Sequence, residues 1–358
     1  MIIFLSVVPF LLVISGCDAA GGGCISGGCF GPAKEKEVVS IDDFHYTGDP
    51  VTFACISSSS QTAFFVAEAN SKIPVHLVGR LDNGKGMSLF FLGIGNVVSL
   101  KNGLLFDFAN EWFTVSGNNV CFISYAFKKT PSSGLFNDLD KMVTTRRFEY
   151  VAKLARDLIT GIIEKGATRN FSLKSMSQVD VSGFSFGAHI AGRTCQYLEE
   201  KTGEKVRMLL ALDPSKTPPI LVSKPLNTIK KGHAKYVQVI HTSKVAGQWD
   251  RLGDIDVYVR FQPETSFFRA IDDKHSLSFF IHVATATKRL YLVADQNEKG
   301  KGTVIATEPM PKANECLVGI YGNFDSNIPG GKYVISLKNQ SDVFWAALGK
   351  LSNNRIFF

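Results

Sequence analysis

Residues 178–192, QVDVSGFSFGAHIAG, decide how the rest of the chain is read. Val179 and Val181 alternate as in a strand. A sharp turn follows at Gly183-Phe184-Ser185-Phe186-Gly187, and then a run of small residues, Ala188, Ala191 and Gly192, suits a tightly packed helix. The spacing is that of a G-x-S-x-G elbow, which holds a serine on a strained strand-to-helix turn with its hydroxyl clear of the sheet. Two glycines without Cβ let neighbouring backbone close around the tip. The free N–H groups of the helix that starts there favour negative charge. Ser185 is therefore the candidate nucleophile.

Working outward, apolar runs recur at strand length, at 51–54, 63–67, 87–93, 119–125, 206–212 and 235–241. Between them, 147–164 carries Val151, Leu154, Leu158, Ile159 and Ile162 at helical spacing. The segment holding Trp112 and Phe113 also reads as a helix. Buried strands alternating with helices predict an α/β architecture, a mainly parallel sheet covered on both faces.

A serine hydroxyl needs a base, and the base needs an orienting acid. On a fold of this kind they follow the serine in the order acid, then histidine. Asp213, just past the apolar run 206–212 and stopped by Pro214, is the candidate acid; the alternative is a turn or capping aspartate. His233, His241, His275 and His282 follow. His241 closes an apolar strand and reads as a structural residue. His275 follows the polar stretch RAIDDK and precedes an apolar run, so a loop-to-helix junction is expected there. Spacing favours His275 and leaves the others open. His189, inside the helix after Ser185, reads as structural.

The totals set bounds. The chain has 358 residues, 45% of them hydrophobic, enough for a large core. Its charge is +7, from 39 basic and 32 acidic residues spread without a block, so no nucleic-acid arm is expected. Residues 2–14 are apolar but short and broken by Pro9, and small residues follow up to Ala19. This pattern reads as a signal peptide over residues 1–19 and predicts a secreted, extracellular protein. Ile14-Ser15-Gly16-Cys17 also resembles a bacterial lipoprotein box. Residues 20–50, rich in glycine and then charged, read as a flexible leader. Outside the signal remain Cys24, Cys29, Cys55, Cys121, Cys195 and Cys316. Cys24 and Cys29 are expected to pair, Cys121 and Cys195 to be buried thiols, and no spacing suggests a metal site. Asn170-Phe171-Ser172 and Asn339-Gln340-Ser341 are glycosylation sequons.

Taken together, several stretches resemble the pancreatic-lipase-like family, which includes triacylglycerol lipases, wasp-venom phospholipases A1 and insect yolk proteins. The elbow resembles the family's GHSLGAHIAG, Leu212-Asp213-Pro214 its LDP, and Val239-Ile240-His241-Thr242 its VIHT. Gly253-Asp254-Ile255-Asp256-Val257-Tyr258 resembles GHxDFY, and 119–126 the strand NVIVVDWS. These cover roughly residues 50–345 in the family's order. The resemblance implies an α/β-hydrolase fold over 51–358, with no C-terminal β-sandwich. It implies a triad of Ser185, Asp213 and His275, an oxyanion hole from the backbone of Phe186 and Asn96, and a lid tipped by Phe267 and Phe268. The activity implied is a lipid esterase, phospholipase A1 or triacylglycerol lipase, working at a membrane or lipid-particle surface without metal or cofactor. Two short loops, 243–252 and the lid, go with phospholipase A1 activity in that family. The chain departs from the pattern at Ile94-Gly95-Asn96, where the family has His-Gly-aromatic. Ser124 replaces an aspartate, and Thr265 and Lys274 stand near the lid's usual cysteines. The alternative implied by these departures is an inactive lipid-binding or yolk-type protein; a third reading is an esterase for small soluble substrates.

Overall fold

A computed structural model of the chain describes residues 40–98, 103–127, 134–166, 173–216, 226–261, 267–297, 302–322, 329–337 and 341–349. The signal peptide, most of the leader, Cys24, Cys29 and the sequon at Asn170 lie outside these residues, as do Asn339 and Gln340 of the second sequon.

The described strands are β1 (Val51–Ile56), β2 (Phe65–Ala69), β3 (Met87–Phe91), β4 (Asn119–Ser124), β5 (Val179–Phe184), β6 (Met208–Leu212), β7 (Tyr236–His241), β8 (Ile255–Arg260), β9 (Tyr291–Asp295), β10 (Thr303–Ile305), β11 (Glu315–Val318) and β12 (Gly331–Ser336). The helices are α1 (Val75–Leu81), α2 (Leu104–Ser116), α3 (Leu135–Thr144), α4 (Arg147–Gly166), α5 (Phe186–Thr202), α6 (Phe267–Ala286) and α7 (Ser341–Leu348). All strands join one sheet in the order β10-β9-β12-β8-β7-β6-β5-β3-β4-β1-β2, with β11 paired to β9. The strands from β4 through β3, β5, β6, β7 and β8 to β12 are parallel. Antiparallel pairs close the two edges.

The central strands, β3 to β8, are buried on both faces apart from Arg260, so their side chains alternate between two cores. Leu89, Phe91, Val179, Val181, Leu209 and Val237 pack with α1, α3, α4 and α5. Phe90, Phe122, Leu210, Leu212, Ile240 and Val257 pack with α2, α6 and α7. That is the two-sided covering expected of continuous apolar strands joined by crossover helices. The central order, with β3 lying between β4 and β5, is that of an α/β-hydrolase. The chain reverses its direction of travel across the sheet there, and such a switch point opens a crevice at the strands' carboxyl ends. β5 delivers Ser185 to that crevice.

Two expectations are corrected here. Residues 40–50 are not a free leader: Ile41, Phe44 and Tyr46 pack on the core. The buried Arg147 donates to the carbonyls of Asp49, at 2.6 Å, and Tyr125, at 2.9 Å. The apolar side chains of this stretch, and carbonyls that help satisfy the buried guanidinium, draw it in rather than leave it in water. Cys121 is not a free thiol but is disulfide-bonded to Cys55, its register partner across the β1–β4 pair. Cys195 and Cys316 are buried free thiols.

Candidate active site

The elbow forms because two glycines allow it. A Cβ on Gly183 would stand 2.3 Å from the Gly187 carbonyl oxygen, and one on Gly187 would stand 2.4 Å from the Leu92 carbonyl oxygen. Only with both absent can β5, α5 and the end of β3 meet at one point. Ser185 itself sits at φ 58°, ψ −124°, a conformation that side chains rarely adopt. Its N–H is held by the Leu212 carbonyl at 2.9 Å, which ties the strained tip to the end of β6.

The residue after β6 is Asp213, fully buried and also at positive φ (40°). The Asp213 N–H donates to Ile240 O at 2.7 Å, fixing it against β7. Its Oδ1 accepts the backbone N–H groups of Thr242, at 2.7 Å, and Ser243, at 3.0 Å. Its Oδ2 accepts Nδ1–H of His275 at 2.6 Å. The other ring nitrogen, Nε2, then has a free lone pair and accepts the Ser185 hydroxyl at 2.8 Å. The structure thus brings Ser185, His275 and Asp213 into one hydrogen-bonded chain from three elements. His275 differs from expectation in one respect: RAIDDK is helical, so the histidine lies inside α6 rather than at a loop junction.

The other histidines are occupied or sequestered. His189 bridges Thr228 Oγ1, at 3.0 Å, and Ser215 O, at 2.8 Å, and burial pushes its pKa down. His233 meets Thr228 O at 2.9 Å, and burial lowers it too. His241 pairs with Asp256. His282 is packed among Phe90, Phe108 and Trp112 on the far core.

The oxyanion donors come out unevenly. The Phe186 N–H, first in α5, has no hydrogen-bond partner among the described residues. The Asn96 N–H donates to the Gly93 carbonyl at 3.2 Å, closing a tight turn that Gly95 makes at φ 81°. That N–H is therefore engaged within its own loop in this arrangement. The Ile94 N–H, two residues earlier in the same loop, has no partner among the described residues. The loop is propped from β4: the Ser124 hydroxyl donates to Asn96 O at 2.7 Å and the Tyr125 hydroxyl to Leu92 O at 2.6 Å. Ser124, noted in the sequence only as a departure, so acquires a contact.

The side chains of Phe267 and Phe268 lie outside the described residues. Their backbone opens α6, and residues 262–266 before it are not described. The sequence did not single out Ile94, Tyr125, Thr242, Ser243 or Gly247 for the site. Four of these act through backbone atoms or the lack of a Cβ, and side-chain patterns carry little signal for that.

Comparison with known proteins gives matches over parts of the chain. The Lipase family matches residues 158–270, which include Ser185 and Asp213. Phospholipase A1 2 of Polistes dominula is 34% identical over 86 residues, 24% of this chain and 27% of that protein. Phospholipase A1 of Polybia paulista is 26% identical over 174 residues, 46% of this chain and 52% of that protein. Vitellogenin-2 of Ceratitis capitata is 35% identical over 83 residues, 22% of this chain and 19% of that protein. The chain thus spans about half or less of the length of these relatives. The matched segment and these relatives are findings of similarity, and they support the resemblance to the pancreatic-lipase-like family carried by the motifs around Ser185 and Asp213.

Proposed function

We propose that the protein is a secreted serine hydrolase of lipid esters. Ser185 Oγ attacks the acyl carbonyl while its proton passes to His275 Nε2. Asp213 keeps the ring oriented and offsets the imidazolium charge. The oxyanion is met by the N–H groups of Phe186 and Ile94, the latter in place of Asn96. His275 returns the proton to the leaving alcohol, then takes one from the water that hydrolyses the acyl-enzyme. The chemistry draws on side chains and backbone alone. The single observation that carries this reading is the unbroken chain Ser185–His275–Asp213, at 2.8 and 2.6 Å.

The substrate we infer is the sn-1 ester of a phospholipid, or a glyceride. Support comes from the phospholipase A1 relatives and from exposed Val97 and Val245, which adjoin the two loops that build the site. Apolar groups there suit a membrane or lipid-particle surface.

A second reading, a lipid-binding protein without catalysis, is favoured by the Asn96 turn and by the vitellogenin relative. Loss of one oxyanion donor costs about 10²–10³ in rate. Fatty-acid release from phosphatidylcholine vesicles and triacylglycerol emulsions, by the full chain beside Ser185→Ala, separates the two. Release that the variant abolishes supports the hydrolase, and the faster substrate distinguishes phospholipase from lipase. Lipid binding with no release by either protein would leave the second reading.

A further inference from the structure

The loop between β7 and β8, residues 242–254, wraps around Asp213. Thr242 and Ser243 donate to its Oδ1. A Cβ on Gly247 would stand 2.5 Å from the same oxygen, so that glycine's backbone lies directly against the carboxylate. Gln248 N–H donates to Pro214 O at 2.7 Å, and Lys216 N–H to Ala246 O at 2.9 Å. The acid is cradled almost entirely by backbone, whose direction depends on the shape of the loop.

A buried pair holds that shape. His241, the last residue of β7, and Asp256, on β8, are both fully buried and meet at 2.8 Å, Nε2 to Oδ1. The opposite ring nitrogen, Nδ1, meets the Gln248 carbonyl at 2.8 Å, in the middle of the loop. The Asp256 carboxylate also accepts the N–H of Leu252, at 2.9 Å, and of Gly253, at 3.2 Å, at the loop's far end. The Tyr258 ring stacks on the imidazole, 4.5 Å between centroids, and shields it. One pair therefore fixes the start, the middle and the end of the loop that supplies the donors to Asp213.

We propose that His241 and Asp256 are positioning residues for Asp213, and through it for His275, acting by way of this loop. The proposal rests on the reading of Asp213 as the orienting acid. Stability alone does not call for the pair: apolar residues between two parallel strands avoid the cost of desolvating ionisable groups and often pack as well. The pair adds direction. The peptide between His241 and Thr242 carries one of the two N–H groups on Oδ1, so a small rotation there weakens the hold on the carboxylate. A displacement of about 1 Å at a catalytic group costs on the order of 10²-fold in rate.

The test compares the full chain with Asp256→Ala, Asp256→Asn and the double variant His241→Phe/Asp256→Leu. Steady-state hydrolysis of a soluble p-nitrophenyl ester gives kcat and KM. A one-dimensional proton spectrum reads the low-field Nδ1–H of His275 held against Asp213, independently of activity. Circular dichroism reports folding. In Asp256→Asn the amide N–H can take the Oδ1 place and donate to the ring, and the amide oxygen can keep the Gly253 N–H; the Leu252 N–H, which shares Oδ1 with the ring, loses its acceptor. We expect kcat to fall on the order of 10²-fold in Asp256→Ala, with KM nearly unchanged and the low-field signal lost, and both to recover in part in Asp256→Asn, which keeps the ring and Gly253 contacts. The double variant replaces the pair by apolar volume. It is expected to stay folded and yet lose kcat and the signal, which separates positioning from stability. A folded double variant with normal kcat and an intact signal overturns the proposal. So does an Asp256→Asn no better than Asp256→Ala. If the wild-type chain hydrolyses nothing but shows the signal, and the double variant loses it, the hydrolase reading falls while the positioning role stands.

Discussion

The ring of Phe184 lies 4.8 Å from the ring of His275, centroid to centroid, at an interplanar angle of 42°. Phe184 directly precedes Ser185, is almost fully buried, and also meets Phe279 on α6. It therefore packs the His275 ring, the base in the proposed mechanism, against the strand that presents Ser185. An aromatic face beside the imidazole limits its rotation and favours the cation that forms when it takes the serine proton. Phe184→Leu keeps apolar volume but removes the face. We expect kcat on a soluble ester to fall by about tenfold, a loss worth about 1.4 kcal/mol, with KM little changed. Steady-state kinetics check it; an unchanged kcat would assign Phe184 to packing alone.

Strain at the elbow predicts a trade between activity and stability. Ser185 at φ 58°, ψ −124° occupies a region natural only to glycine, which costs about 1–3 kcal/mol. Ser185→Gly should release that strain, less about 0.5–1 kcal/mol for the added freedom of the unfolded chain. The variant is expected to be inactive and equal to or more stable than wild type in denaturant unfolding. A clear loss of stability would show that the Ser185 hydroxyl contributes more than its strained backbone costs.

The Cys55–Cys121 bond joins strands separated by 66 residues. Closing a loop of that size in the unfolded chain is worth about 4 kcal/mol in the chain-entropy account. Replacing both cysteines by alanine should lower unfolding stability by a few kcal/mol on that account. Reductant should lower the melting temperature of the wild type and leave the double variant unmoved. Equal response of the two proteins to reductant would exclude the bond from the stability of the domain.

His282 makes stability fall with acid. Neither of its ring nitrogens has a hydrogen-bond partner among the described residues, and its ring is stacked on Phe90 at 5.1 Å. Burial pushes its pKa down from 6.5 to about 3. The folded state therefore holds it neutral, while the unfolded chain takes up a proton near its ordinary pKa. The contribution is fully present above pH 6.5 and is lost as pH falls from there towards 3, with a slope of about 1.4 kcal/mol per pH unit. Burial also lowers His189 and His233, which add to the same slope, so the informative comparison is with His282→Phe. Unfolding free energy measured from pH 7 to 4 should fall less steeply in that variant; parallel curves would show that His282 does not govern the acid limb.

Much of the frame is legible in the chain because it rests on periodicity and on residues with few alternatives. The strand runs at 87–93, 119–125, 206–212 and 235–241 all correspond to observed strands, with ends shifted by a few residues. The helix at 147–164 appears as α4. Strands β9 to β12 are less legible: β10 and β11 are short and only partly buried, while β9 and β12 are largely buried but local pattern carries little of their pairing. The helical state of RAIDDK was missed because its charged residues read as loop, whereas their helix is stabilised by the apolar residues after His275 packing on the sheet.

By itself the sequence determined the elbow, since only glycine tolerates the contacts at Gly183 and Gly187, and the order Ser185, Asp213, His275 along the chain. It also determined the two-sided sheet, because apolar strands of that kind must be covered on both faces. The tertiary structure alone decided which cysteines pair, which of the later histidines reaches Ser185, and which backbone N–H groups remain open beside it. Those depend on distances between residues far apart in the chain. They also depend on whether a peptide N–H is used within its own turn, as at Asn96, or left free, as at Ile94. Neither is written in the identity of the side chain.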